Sequence, residues 1–298
     1  MQDWKDLLTE SRHPESRDLD TLDTAAAVDL LLEEDRRGLE AAQRHRDEIA
    51  QAATWVTETL KGDGDVVFAG AGTSGRLGVL EAAECPPTFG SDPARIRAVI
   101  AGGEEAVFRA QEGAEDRADK GAEAVQDLGR GDLLIALSAS SVTPFARGAL
   151  DAARANGART VLLTCADGQA LGNAADLVIA LATGPEILTG STRLKAGSAT
   201  KAALNAITTS AMIGLGKIYE NLMVDLRPGS AKLRDRAVRI IGSAAQQPPE
   251  RAAELYGASG QEIKTAIVMS RLGVDAETAR KHLQGANGHV RQALENVS

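Results

Sequence analysis

Residues 62–75 read GDGDVVFAGAGTSG, and residues 129–142 read GRGDLLIALSASSV. The two stretches align at an offset of 67 residues. Each runs from an Asp through a short apolar stretch into a loop of small and hydroxyl-bearing residues. Short apolar runs bounded by turn signals are the pattern of buried parallel strands. Further runs of this kind lie at 96–102 (IRAVIAG), 159–165 (RTVLLTC) and 175–181 (ADLVIAL), with helical patterns at 116–128 and 143–156 between them. This alternation predicts an α/β fold: a doubly wound, mostly parallel sheet.

Working outward, residues 18–60 space their apolar positions by three and four, a helical pattern whose one weak point is Gly38. A long helix fits 196–220. Beyond it the pattern reads as short helices only, at 230–246, 249–256, 260–272, 275–284 and 287–296. The expected organisation is an N-terminal helical segment (1–45), a ligand-binding α/β domain (46–228) and a C-terminal all-helical module (229–298).

Composition narrows the partners. The 298 residues are 43% hydrophobic and only 3% aromatic, with 30 glycines and a formal net charge of −9. Nucleic acid and anionic membrane surfaces both call for a positive field, so neither is an expected partner. Cys85 and Cys165 show no metal-ligand spacing and suit a reducing compartment. The start MQDWKDLLTE lacks the apolar core of a secretory signal, and no run reaches the length of a membrane span. A soluble cytoplasmic protein is expected.

Ligands of open α/β sheets sit beyond the carboxyl ends of the strands. Two such ends carry hydroxyl-rich loops, Thr73-Ser74 and Ser138 through Thr143. Each leads toward a helix, whose N-terminus favours an anion. Ser and Thr are also common helix caps, but the echo between the two loops favours a phosphate cradle. Gly70, Gly72 and Gly75 fit G-x-G-x-x-G. A nicotinamide site, however, needs an acidic residue about 20 positions further on, and Glu104 lies 29 past Gly75. No Gly-Lys-Ser/Thr follows, which removes a Walker loop.

Longer motifs carry a resemblance. The stretches GAGTSGRLGVLEAAECPPTFG (70–90), IAGGEEAVFRAQEGAED (100–116), TGSTRLKAGSATK (189–201) and GKIYENLMVDL (216–226) closely resemble the N-acetylmuramic acid 6-phosphate etherases of the sugar isomerase (SIS) superfamily. The resemblance covers the chain from about residue 18 onward. It implies cleavage of the D-lactyl ether of a phosphosugar to give N-acetylglucosamine 6-phosphate and lactate, in recycling cell-wall sugars. It also implies a homodimer and no metal or organic cofactor. By motif, Glu84 corresponds to the proton donor and Glu115 to the second catalytic acid. The phosphosugar contacts implied or suggested by the loops are Gly72, Thr73, Ser74, Ser138, Ser140, Ser141 and Thr143, with Arg193 or Lys195 reaching a substrate anion. The second loop departs from the family pattern: SASSVTPF puts Ser141-Val142 where Gly-Arg is usual.

The implied reaction is an elimination. A base takes the C2 proton next to the C1 aldehyde, an acid protonates the departing lactyl oxygen, and water adds at C3. Two carboxyl groups in opposite protonation states are needed. Glu84 is expected at the end of a helix stopping at Pro86-Pro87, where the helix dipole and the neighbouring Glu81 would keep it protonated. Glu115, expected just before the helix at 116–128, would be held as the anion. Glu104, Glu105, Glu112 and Asp116 compete with it on composition alone. His13, His45, His282 and His289 are scattered and expected at the surface. The alternatives on this scaffold are a non-catalytic phosphosugar-binding regulator, an aldose–ketose isomerase and, last, a nicotinamide enzyme.

Overall fold

Asp23 begins the helical part of the chain by accepting a hydrogen bond from the Ala26 N–H at 2.9 Å. From this cap α1 runs Thr24–Arg44 and, after a break at His45 (φ −102°, ψ 26°), α2 runs Arg46–Lys61. These elements belong to a computed structural model that describes residues 8–167, 174–226 and 229–296. The break falls at His45 and not at Gly38. Gly38 is buried within α1, where a Cβ would come within 2.9 Å of the Lys195 Cγ. It serves close packing and does not weaken the helix.

Then come β1 (Val66–Gly70), α3 (Gly72–Phe89), β2 (Ile96–Ile100), α4 (Glu105–Phe108), α5 (Ala118–Glu123), β3 (Leu133–Leu137), α6 (Pro144–Ala155), β4 (Arg159–Thr164), β5 (Leu177–Ala180) and α7 (Lys195–Gly214). The five strands form one wholly parallel sheet in the order β2-β1-β3-β4-β5. Every residue of β1 and β3 is buried, which is what their unbroken apolar runs require. The edge strands β2 and β5 are only partly buried. Side chains alternate between faces. Val67, Ala69, Leu134, Ala136 and Leu162 share a core with Phe145, Ala149 and Ala153 of α6, while Phe68 meets Gly78 of α3. Helices thus cover both faces.

The repeat in the sequence is the register of the sheet. Val66 pairs with Leu133, and so on to Gly70 with Leu137, each pair at the same separation. One residue earlier, the Asp65 N–H donates to Asp132 Oδ1 at 2.8 Å, 67 residues away.

Three expectations are corrected. The helix expected over 116–128 is confined to Ala118–Glu123 and gives way to turns. The helix expected over 196–220 ends at Gly214, and a small antiparallel hairpin follows, β6 (Ile218–Tyr219) with β7 (Leu222–Met223). And α3 does not stop at Pro86-Pro87; it continues to Phe89. Cys85 and Phe89, one turn apart on one face, are both buried, and that burial offsets the hydrogen bonds the prolines forgo.

The described residues form two compact units, and α3 and α7 each contribute to both. The chain up to Ala82, with Ala94–Thr208, contains the sheet. Ala83–Pro93 with the chain from Thr209 onward makes the second. In the second, the hairpin shares a core with α8 (Ala231–Ala245), α9 (Pro249–Ala258), α10 (Ile263–Leu272), α11 (Ala276–Gly285) and α12 (Val290–Glu295), built from Tyr219, Ile241, Leu255, Ile267 and Val290 among others. The expected boundary at residues 228–229 touches positions outside the described residues. No described helix is long and apolar enough to cross a membrane.

Candidate active site

The strand order reverses between β1 and β3: from β1 the chain goes out to β2 on one side and returns to β3 on the other. At such a switch point the loops diverge and leave a crevice beyond the strand ends. A cavity of about 290 Å³ lies there. Gly72, Thr73 and Ser74 line it from the start of α3, and Ser140, Val142, Thr143 and Pro144 from the start of α6. Glu115 and Asp116 add carboxylates, and Thr9, Glu10, Gly190 and Thr192 complete the wall.

The glycines explain how the first loop reaches this place. A Cβ on Gly70 would lie 2.9 Å from the Gly75 nitrogen, and one on Gly75 only 2.5 Å from Ile100 Cγ1, so strand end and helix start can touch only without side chains. Gly72 takes φ +53° and faces open space. The G-x-G-x-x-G spacing is therefore accounted for by a tight strand-to-helix turn.

Among the described residues, no Lys or Arg lines this cavity. An anion would be met by the free N–H groups at the starts of α3 and α6 and by the hydroxyls of Thr73, Ser74, Ser140 and Thr143. The Thr143 hydroxyl also shares a hydrogen bond with the Ser138 hydroxyl at 2.8 Å. Ser138 is buried and shapes the loop from behind. Ser141, also buried, sits at φ +66° and gives its carbonyl to Arg147 Nε at 3.0 Å. Neither is among the cavity's lining residues.

A smaller cavity of about 170 Å³ adjoins it, lined by Arg76, Gln111, Glu112 and Gly113 among others. The two share Ala71, Gly72 and Glu115 as lining residues. Glu115 lies in the short turn Ala114–Asp116, introduced by Gly113 at φ +72°, and is exposed.

The remaining expected residues fall elsewhere. Glu84 is exposed on α3, more than a turn short of its end, so the helix C-terminus does not act on it as expected. The like-charge argument from Glu81 also fails. Glu81 is buried, with Lys201 Nζ at 2.6 Å and the Thr208 hydroxyl as partners, so its charge is compensated. Glu84 is not among the residues lining either cavity. Arg193 is exposed and absent from both linings.

Lys195 is buried, and its ammonium donates to Glu34 Oε2 and to the Pro185 carbonyl. Lys195 is not among the residues lining either cavity. Glu34 also meets Arg37 at 2.7 Å and His13 Nε2 at 3.2 Å. Burial by itself would raise the Glu34 carboxyl, but Lys195, His13 and Arg37 outweigh it and hold the group below its ordinary value. His13 is accordingly buried, contrary to the surface position expected of the histidines. His13, Glu15 and Glu34 bring ligand atoms within 4.8 Å of one another, yet the ammonium and guanidinium already on Glu34 make this a charge network and not a cation site.

Glu186, also buried, accepts from the N–H groups of Lys195 and Ala196 (3.1 and 2.8 Å) and so caps α7; burial pushes its carboxyl up. Cys165 lies close by, with Ala196 O and the Thr200 hydroxyl each at 3.5 Å; burial pushes its thiol up to about 11, so it is an inert packing group.

Sequence reasoning missed Thr9, Glu10, Asp116 as a wall residue, and Thr192. The segment bearing Thr9 and Glu10 has no periodic pattern. What brings it to the cavity is far apart in the chain: His13 on Glu34, and the Ser16 hydroxyl donating to the Ile187 carbonyl at 2.7 Å.

Residues 48–154 match the glucokinase regulatory protein N-terminal SIS domain, and residues 114–210 match the SIS domain. The chain is 44% identical to an N-acetylmuramic acid 6-phosphate etherase of Synechocystis sp., over 97% of this chain and 95% of that one. It is 48% identical to the etherase of Rubrobacter xylanophilus (97% and 96%) and 42% identical to etherase 1 of Bacillus licheniformis (97% and 95%). With similarity at this level across nearly its whole length, the chain belongs to the N-acetylmuramic acid 6-phosphate etherase family.

Proposed function

We propose that the protein cleaves the D-lactyl ether of N-acetylmuramic acid 6-phosphate, giving N-acetylglucosamine 6-phosphate and D-lactate in the cytoplasmic recycling of cell-wall sugars. The full-length identity of 42–48% to etherases carries this reading. The cavity at the switch point supports it, because its donors suit a phosphate and its carboxylates suit proton transfer.

In this reading the 6-phosphate rests on the N-termini of α3 and α6 and on the Thr73, Ser74, Ser140 and Thr143 hydroxyls. Glu115 borders both cavities and takes the C2 proton. The C2–C3 double bond forms as the C3–O bond breaks, and Glu84, assigned by its motif, protonates the lactyl oxygen. Water then adds its oxygen at C3 and a proton returns to C2. The Val142 side chain, where the family pattern has Arg, leaves the cradle to neutral donors. A second copy of the chain is the expected partner.

Incubation of purified protein with N-acetylmuramic acid 6-phosphate is expected to release D-lactate in amounts equal to the substrate consumed. Tight binding of the sugar phosphate with no lactate would instead favour a phosphosugar-responsive regulator.

A further inference from the structure

The substrate proposed above carries two anions, a phosphate and the lactyl carboxylate, and the cradle at α3 and α6 accounts for one of them. The adjoining cavity holds a cation, which the larger one lacks among the described residues. Arg76 lies on α3 one turn beyond Gly72 and lines the smaller cavity. Its Nε donates to the Val107 carbonyl at 2.9 Å, which fixes the plane of the guanidinium. Among the described residues its two terminal nitrogens make no hydrogen bond or ion pair. A guanidinium anchored through Nε, with terminal donors to spare, is built for a carboxylate.

We propose that Arg76 binds the lactyl carboxylate of the substrate, and so distinguishes a lactyl ether from the unsubstituted amino sugar. This rests on the etherase reading. The shared walls give the geometry: Ala71, Gly72 and Glu115 border both cavities. A ligand with its phosphate at the helix N-termini and its carboxylate at Arg76 therefore spans the position of Glu115. The ether to be broken lies between those two anions in the substrate, where a base is needed. Glu112 and Glu115 also line the smaller cavity. They would repel a carboxylate there but for the guanidinium. A charge that only balanced these two acids would treat both sugars alike, and this separates the two roles.

The test compares two ligands that differ by the lactyl group. Wild type, Arg76→Lys and Arg76→Gln are assayed for KM with N-acetylmuramic acid 6-phosphate and for competitive inhibition by N-acetylglucosamine 6-phosphate. Arg76→Gln is expected to raise KM about tenfold or more, the size of one lost charge-assisted hydrogen bond, with Arg76→Lys intermediate. The inhibition constant should stay within about twofold of wild type, since the product makes no such bond. Equal weakening of both ligands, or no change in either, would overturn the proposal, as would a fall in kcat alone. Lactate release by wild type, measured first, tests the parent reading separately. Should it fail, calorimetric affinities of the two unreacted sugars still report whether Arg76 prefers the lactyl form. Thermal midpoints of the variants show whether the Val107 contact, and with it the fold, survives.

Discussion

Glu34 shows how a single side chain ties distant parts of this chain together. It is buried with Lys195, 161 residues away, and with His13, and it also meets the exposed Arg37. Removing one partner from such a cluster leaves a buried charge uncompensated. Glu34→Ala should therefore lower the unfolding free energy by about 3–5 kcal/mol in urea titrations. The pH dependence has a definite sign. The folded state holds the Glu34 carboxyl below its ordinary 4.5, so its contribution is complete above that pH and is lost as pH falls further, through the folded value. Glu186, raised by burial, acts in the opposite sense: its contribution is present at low pH and lost as pH rises through its folded value. Glu34→Gln should flatten the acid limb of stability against pH below 4.5, and an unchanged limb would remove Glu34 from the account. For catalysis, Glu115→Gln and Glu84→Gln should each lower kcat by about 10²–10⁴-fold, the usual weight of a general acid or base. That Thr73, Ser74, Ser140, Thr143 and Glu115 lie around one cavity at the strand ends is legible in the sequence because local motifs carry them. The commitment of Lys195 is not, because its partner is distant and nothing beside it in the chain reveals a buried acid.

At the level of elements, the repeat was the most legible feature, since two strands that sit side by side in register leave their spacing in the sequence. Signals fail where packing overrides local preference. Two consecutive prolines normally end a helix, yet α3 runs through them to bury Phe89. Strands of two residues, as in β6 and β7, are too short to show any alternation, so the hairpin was hidden behind a helical pattern. Glycines inside helices mark another kind of contact. A Cβ on Gly148 of α6 would lie 2.0 Å from the Ala118 carbonyl oxygen, and one on Gly121 of α5 would lie 1.9 Å from that of Phe145. The two backbones touch at these points. Gly148→Ala should thus cost about 1–3 kcal/mol or more through forced separation of α5 and α6, although alanine is the better helix former. Equilibrium unfolding would reveal it, and a stabilised variant would contradict this packing.

On the scale of the whole molecule, α1 leaves Val28, Leu32 and Leu39 exposed, Leu32 by 64%. An apolar stripe of this kind on a charged helix suits burial against a second copy of the chain. If a second copy covers this stripe, wild type should sediment as a dimer and Leu32→Glu should shift toward monomer in sedimentation equilibrium; a monomeric wild type would remove that role for α1. The chemistry has a more direct test. Conversion of N-acetylmuramic acid 6-phosphate in ¹⁸O-labelled heavy water should put solvent oxygen on C3 of the amino sugar and deuterium on C2. The lactate released should keep the original ether oxygen. Labelled oxygen in the lactate, or product without deuterium at C2, would contradict elimination followed by hydration in the pocket between α3 and α6.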